Sequence, residues 1–391
     1  MSLGNINLLD VNLFAESGEY AVFQKLRAEA PVYFHPEPDG PGFHAVTRYD
    51  DVIQVVREPI LYASGHGTQI VNRRAEGHGA SSVHNSDPPY HTYLRNLVLP
   101  SFGPSALRKI EPKVRETVNR LFDECPRGEA FDFVDSYAVK LPMMVIGAVL
   151  GVPEGDQPQM VNWANTISDV RATDKQQAQA REELFHFFRR LVAQKRENPG
   201  DDVATVLAQS QIEGRPLSES ELDAYFTVLS AAGNETTRFL VSVGLEQLCL
   251  NPENLSALRR SPDLIPTAVE EMVRWVSPVM QMRRTASEDA EIAGTPIKKG
   301  DKVVVYFASA NRDERKFDDP DAFVPTRKQN PHVGFGNGIH FCIGAHLARI
   351  EARIFFETLF EKVSEIRLAG KGERLPSYIF HGHVRLPVIW N

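Results

Sequence analysis

Cysteine is scarce in this chain, with three residues (Cys125, Cys249 and Cys342) among 391. That number leaves no disulfide framework and points to a reducing compartment. No Cys-x-x-Cys pair occurs, so a structural zinc site lacks its usual paired ligands. Positive charge is in deficit as well: 43 Lys and Arg stand against 51 Asp and Glu, a formal net charge of −8. A nucleic-acid binder needs a basic footprint, and this balance allows only local patches. Long apolar runs are missing too. The longest, Leu141–Val152, contains Pro142 and Gly147 and falls far short of the roughly 20 residues that span a bilayer. Met1–Asp10 has neither a basic stretch nor an apolar core, so no targeting segment is read and a cytoplasmic location is expected. There is no repeat, no low-complexity tract, and no flavin or iron–sulfur motif.

What is present reads as a globular chain, 42% hydrophobic and 24% charged, large enough for one big domain or two ordinary ones. Val32–His35 and Phe43–Thr47 flank a turn-rich stretch and predict a hairpin, followed by a helix from about Asp50 to Arg57. Residues 63–89 are polar, glycine-bearing and aperiodic, and predict a long loop of the kind that carries function. From Tyr90 to about Gln209 the pattern is mostly helical, with breaks at Pro104, Pro126–Gly128, Pro153–Pro158 and Asn198–Gly200. Ser218 with Glu221 makes a capping box, and nothing stops the helix it opens before Asn251-Pro252. A helix over Ile265–Trp275, a strand over Val303–Phe307 and ordered coil over Asp313–Asn337 complete the reading. The expected architecture is one mainly α unit spanning 1–391 with a small β portion. The β-rich parts are placed near 30–60, 285–310 and 365–391, the helical parts near 90–280 and 343–362.

Four patterns carry chemistry. Phe335–Gly344 sets Cys342 in a glycine-rich loop that runs straight into a helical stretch. The helix end favours thiolate over thiol at that cysteine, which suits one position of a metal or a large planar cofactor. His332, His340 and His346 lie close by, so a zinc site or a Cys-His nucleophile are the rival explanations. Mid-way along the long helix, Ala231–Arg238 carries Glu235, Thr236 and Thr237. Threonine hydroxyls there can bond back to a carbonyl one turn earlier and open the helix to water, or the pair can simply be core. Glu271 and Arg274 share one helical face, as an ordinary ion pair would. His91 and Arg95 are also one turn apart, a spacing that equally suits a solvated face.

In this order the pieces closely resemble the cytochrome P450 superfamily, specifically its soluble bacterial members. The cysteine loop matches Phe-x-x-Gly-x-x-x-Cys-x-Gly at Phe335, Gly338, Cys342 and Gly344. The helix motif matches at Ala232, Gly233, Glu235, Thr236 and Thr237, the Glu-x-x-Arg pair at Glu271 and Arg274, and the Phe-x-Pro-x-Arg motif at Phe323, Pro325 and Arg327. The resemblance implies a P450 fold whose long distal helix and cysteine loop enclose haem b, with Cys342 as the thiolate ligand of iron. It implies that His91, Arg95, Arg284 and His340 bind the haem carboxylates, with Ala232, Phe335, Gly336 and Gly344 against the ring. Glu235 and Thr236 would relay protons during oxygen activation, and Glu271, Arg274 and Arg327 would form a buried structural network. The implied activity is monooxygenation with O2, using electrons from a ferredoxin and its reductase that dock near Arg95, Arg108, Lys109, Lys113 and Arg349. The Ala-Gly-Asn-Glu-Thr-Thr-Arg stretch reads like members that oxidise steroids, terpenoids and other bulky apolar molecules. By position, the substrate pocket would draw on the 63–86 loop, Leu229, Ala232, Val279, Met280, Met282, Ile379 and Phe380. Two alternatives are a peroxide-using or non-oxygenating haem-thiolate enzyme, and a haem-based binder or sensor without turnover.

Overall fold

The capping box forms as the spacing predicts. The Glu221 amide donates to Ser218 Oγ (3.3 Å), and the Ser218 amide donates to Glu221 Oε2 (2.7 Å). The helix it starts runs Glu219–Leu250, 32 residues, and stops at Asn251 before Pro252. That is roughly 48 Å at 1.5 Å per residue, enough to cross the molecule. Both ends of its first turns are tied down. Arg215 and Tyr90 bond the Glu221 carboxylate, and the Tyr225 hydroxyl bonds the Leu94 carbonyl. Lys140–Leu150, Asp174–Glu197, Ile265–Val276 and Ala345–Lys362 pack around it. Their apolar faces form the largest core, with Phe122, Phe133, Tyr137, Phe355 and Trp390 as its aromatic centre.

The computed structural model describes residues 3–71, 82–168 and 172–391. The expected hairpin is present as Val32–His35 and Phe43–Val46, with Val32 opposite Val46. It extends into a five-stranded sheet in the order Val32–His35, Phe43–Val46, Lys302–Tyr306, Gln281–Ala286, Tyr62–Ala63. The central strand is apolar on both faces because helices cover one side and the N-terminal segment the other. Lys302 is buried in that strand. It bonds Glu37 Oε2 (2.7 Å) and the Ile70 carbonyl (2.8 Å), fastening the 63–71 segment to the sheet.

Several boundaries differ from the reading above. Pro104 does not break a helix but starts one, Pro104–Glu124, where its missing N–H costs nothing. The stretch 126–139 holds a short strand, Phe131–Asp132, and a single wide turn, Val134–Ala138. Phe307 ends no strand and begins the short helix Phe307–Ala310. The 63–89 loop contains one turn, Val83–Asn85, while its residues 72–81 lie outside the described residues. Among the described residues no helix is long and apolar enough to cross a membrane.

Candidate functional site

A cavity holding about 1660 Å³ of space between atoms, partly open to solvent, separates the long helix from the cysteine loop. On the loop side, Gly336 and Gly338 take φ of 71° and 72°, where a side chain is strained. A Cβ on Gly338 would also collide with the Val56 carbonyl oxygen. The turn closes through the Cys342 amide on the Phe335 carbonyl (2.9 Å) and the Phe341 amide on the Gly338 carbonyl (3.1 Å). Helix Ala345–Lys362 starts directly behind it, and the Gly344 amide reaches the Cys342 sulfur.

Cys342 lines the cavity and is solvent-accessible there. Burial pushes its thiol pKa up, and the Gly344 amide and the charges of Arg95 and Arg349 pull it down by less. Burial and the helix end thus act on the sulfur in opposite directions. A cation held against the sulfur would restore the thiolate.

Across the cavity, Leu229, Ala232, Gly233, Thr236, Thr237 and Leu240 form one helical stripe. Ala232 is exposed in the middle of a buried helix because this stripe faces open space. Thr236 Oγ1 donates to the Ala232 carbonyl at 2.8 Å, the back-bond anticipated from the sequence. The helix nonetheless continues unbroken to Leu250. Glu235 sits about 100° further round and is not part of the cavity wall; it is half-buried near Arg238.

Along the cavity edge five basic side chains converge: His84, His91, Arg95, Arg284 and His340. His91 is 2% exposed with neither ring nitrogen hydrogen-bonded, and its ring lies 4.3 Å from that of His340. His340 Nε2 meets Ser64 Oγ at 3.1 Å, and Arg95 donates to the Phe341 carbonyl at 2.7 Å. Arg284 donates to its neighbour's carbonyl, Arg283 O, at 2.8 Å. Burial first, and the Arg284 charge second, push His84 down to about 4 and His340 to about 2; burial takes Arg284 down to about 10. The nearby acid, Asp87, is engaged by the Ser64 and Gly65 amides at 2.7 and 2.9 Å. So many desolvated donors with spare hydrogen-bonding capacity call for an anion. His84 was not anticipated; its one signal is its place three residues before Asp87-Pro88-Pro89.

Three expected pocket residues, Met280, Ile379 and Phe380, lie off the cavity wall. Val279 and Met282 are on the cavity wall, but Met280 is fully buried in the core beneath the sheet with Phe43 and Tyr306. The strand begins only at Gln281, so period-two alternation cannot be extended back to pair Met280 with Met282. Phe380 bridges to Val279 and packs 6.2 Å from the Phe239 ring, behind the wall and not on it. Phe335, Gly336 and Gly344 do line the cavity.

Glu271 and Arg274 form no surface pair. Both are fully buried and joined by two 2.8 Å bonds. Arg327 Nε adds a third at 3.1 Å, and Arg274 donates further to the Asn311, Pro320 and Ala322 carbonyls. This network pins the 311–330 coil against helix Ile265–Val276.

The rival metal reading fails on direction. His332 turns to Glu270 (3.0 Å), and His346 lies in an outer groove with Arg108 and Arg353, so the donors around Cys342 diverge. Several of the cations considered for partner docking are already paired: Lys109 with Asp201, Lys113 with Glu154 and Glu116, Arg349 with Glu270. Haem fits the donor set well. It is flat, its iron would meet the thiol on the cavity wall, and its carboxylates would meet the cations at the cavity edge.

Comparison with known proteins agrees. The sequence model described as Cytochrome P450 matches residues 155–365. Linalool 8-monooxygenase of Pseudomonas putida is 37% identical, covering 98% of both chains. The structure of a Mycobacterium marinum cytochrome P450 in complex with pseudoionone superposes with a TM-score of 0.92 at 35% identity, covering 98% of both chains. A Bacillus megaterium structure in complex with corticosterone gives 0.85 at 34% identity, covering 95% of this chain and 97% of that one. Scaffold, cavity and whole-length similarity together make this chain a member of the cytochrome P450 family and a monooxygenase of that family.

Proposed function

We propose that the protein binds haem b through Cys342 and inserts one oxygen atom from O2 into a bulky, uncharged apolar molecule, steroid- or terpenoid-like, in the cytoplasm. A ferredoxin with its reductase would supply the electrons. The observation that carries this reading is the cavity itself, with a lone thiol on one wall, Thr236 on the other and surplus cations at the edge. Bound there, the haem supplies an electron-rich iron that reacts with O2 once reduced.

The chain's own groups do the rest. Cys342 donates its thiolate, held in place by the Gly344 amide. His91, Arg95, Arg284 and His340, with His84 beside them, orient the cofactor by its two carboxylates. Ala232, Phe335, Gly336 and Gly344 leave room for a flat ring. The Thr236 hydroxyl gives its hydrogen to Ala232, so its lone pairs face the cavity and hold water there. Glu235, outside the wall and half-buried, exchanges protons between solvent and that water. Leu229, Val279 and Met282 bind the substrate by excluding water from apolar surface. Glu271, Arg274 and Arg327 keep the coil before the cysteine loop in register. The substrate class is supported by the apolar wall and by the names of the similar proteins, which concern linalool, pseudoionone and corticosterone.

The test is a panel of terpenoids, steroids, fatty acids and aromatics added to purified holoprotein. A high-spin shift of the haem spectrum is expected with terpenoids or steroids. Ferredoxin, reductase and isotopically labelled O2 should then give substrate-dependent NAD(P)H consumption and one labelled oxygen per product. NAD(P)H consumption that ignores substrate would rule the reading out.

A further inference from the structure

Five basic groups meet at the cavity edge, more than the two carboxylates of a haem require. Arg95 and Arg284 match those carboxylates in charge, and His91 and His340 add hydrogen bonds. His84 is left over. It sits on the turn Val83–Asn85, which packs against both the long helix and helix Tyr90–Val98, and its exposed ring faces the cavity. Neither ring nitrogen makes a hydrogen bond to the described residues. The turn itself is well held. The Asn85 amide and the Ser86 hydroxyl both donate to the Ser82 carbonyl (3.0 and 2.8 Å), and Thr68 Oγ1 donates to Asn85 Oδ1 at 2.9 Å.

Several other polar groups around the cavity are already engaged. Thr68 donates to Asn85, Thr236 to the Ala232 carbonyl and Tyr225 to the Leu94 carbonyl. Asp87 is held by the Ser64 and Gly65 amides. Glu351, buried on helix Ala345–Lys362 about two turns past the cysteine loop, also lines the cavity. Burial raises its carboxyl to about 8, so it carries no charge in neutral solution. Neither acid pairs with His84. Burial and the Arg284 charge bring His84 down to about 4, so its ring is neutral and offers one N–H donor and one bare nitrogen acceptor. Leu229, Val279 and Met282 make the nearby wall apolar. An uncommitted imidazole in such a cavity costs desolvation that a phenylalanine would not, unless a bound molecule answers it.

We propose that His84 is a specificity-determining residue: its imidazole forms a hydrogen bond to one neutral oxygen, of an alcohol or a ketone, on an otherwise apolar substrate. An alcohol gives its hydrogen to the bare nitrogen, and a ketone accepts from the N–H. A hydrocarbon of the same skeleton leaves the imidazole stranded. A carboxylic acid fits poorly as well, because haem takes the arginines and the acid's charge is buried without a partner. The substrate class thereby narrows from bulky apolar molecules to those that already carry an oxygen before the protein adds another. The inference rests on the haem and substrate reading above.

The test titrates holoprotein, wild type and His84→Phe, with menthol, menthone and menthane, and with androstanol, androstanone and androstane. The haem high-spin shift and calorimetry give each affinity. The wild type should bind the alcohol or the ketone about tenfold more tightly than the hydrocarbon of the same skeleton, and the matching carboxylic acid weakly. In His84→Phe that ratio should fall by about tenfold, with the hydrocarbon bound no worse. His84→Gln keeps a donor and an acceptor and should restore most of the preference. The rate of haem loss to apomyoglobin and the midpoint potential should match the wild type in both variants. A wild type without the preference overturns the proposal, as does a Phe variant that keeps it. Faster haem loss with an unchanged ratio would assign His84 to the haem carboxylates, which also overturns it. A wild type that holds haem and binds none of these molecules overturns the substrate reading, and with it this role. Binding without preference tells failure of the His84 role apart from failure of that reading.

Discussion

The hydroxyl of Thr236 is committed to the Ala232 carbonyl, so what it offers the cavity is a fixed pair of acceptors. Thr236→Ala should therefore keep the haem spectrum while diverting electrons from product to peroxide. Coupling of NAD(P)H use to product that matches the wild type would refute that role. Gly338 is needed for a backbone reason. Its φ of 72° and the Val56 carbonyl leave no room for a methyl group. Gly338→Ala should destabilise the loop by about 1–3 kcal/mol, seen as haem loss at lower temperature. Gly214→Ala, at a φ of 80° with nothing nearby, is the control and should cost less. Residues of this kind were legible beforehand, because a tight turn or a back-bond has a local sequence solution. His84 and Glu351 were not, since neither belongs to a local pattern that demands it.

At the scale of elements, caps made the long helix readable to the residue. The buried network was readable only as a spacing. Glu271 and Arg274 look like any surface pair until the 311–330 coil folds over them. Arg274→Ala should cost about 3–5 kcal/mol in denaturant unfolding, because it strands a buried carboxylate. Arg274→Lys should rescue little, since lysine cannot make the paired bonds to Glu271 while also reaching three carbonyls. The strand boundary at Gln281 has its own consequence. Met282→Ala should alter which panel compounds shift the haem spectrum. Met280→Ala should leave that preference intact and lose about 2–5 kcal/mol of stability to a core cavity.

For the molecule as a whole, buried titratable groups make stability depend on pH in two directions. His84, His91 and His381 have folded pKa values below 6.5, chiefly from burial, with His84 at about 4. Unfolded chains take up those protons first, so stability should fall as pH drops from about 6.5 toward 4. Glu351 works the other way. Folded it holds a proton to about pH 8, and unfolded it releases it near 4.5, so its contribution shrinks as pH rises across that window. Thermal melts of the haem-free protein should show both trends. The acid-side loss should be smaller with haem bound, whose carboxylates answer the cations, and Glu351→Gln should flatten the alkaline side.

By itself the sequence determined the helices with their caps, the hairpin, the cysteine loop and the family, because these depend on neighbours within a few positions. Tertiary structure decided which side chains share the cavity. It gathered the 82–95 segment, the 281–286 strand and the last helix around one space, added His84 and Glu351, and removed Met280, Ile379 and Phe380 from the wall. Burial and desolvation sum over partners distant in sequence, and residue spacing carries no record of that sum.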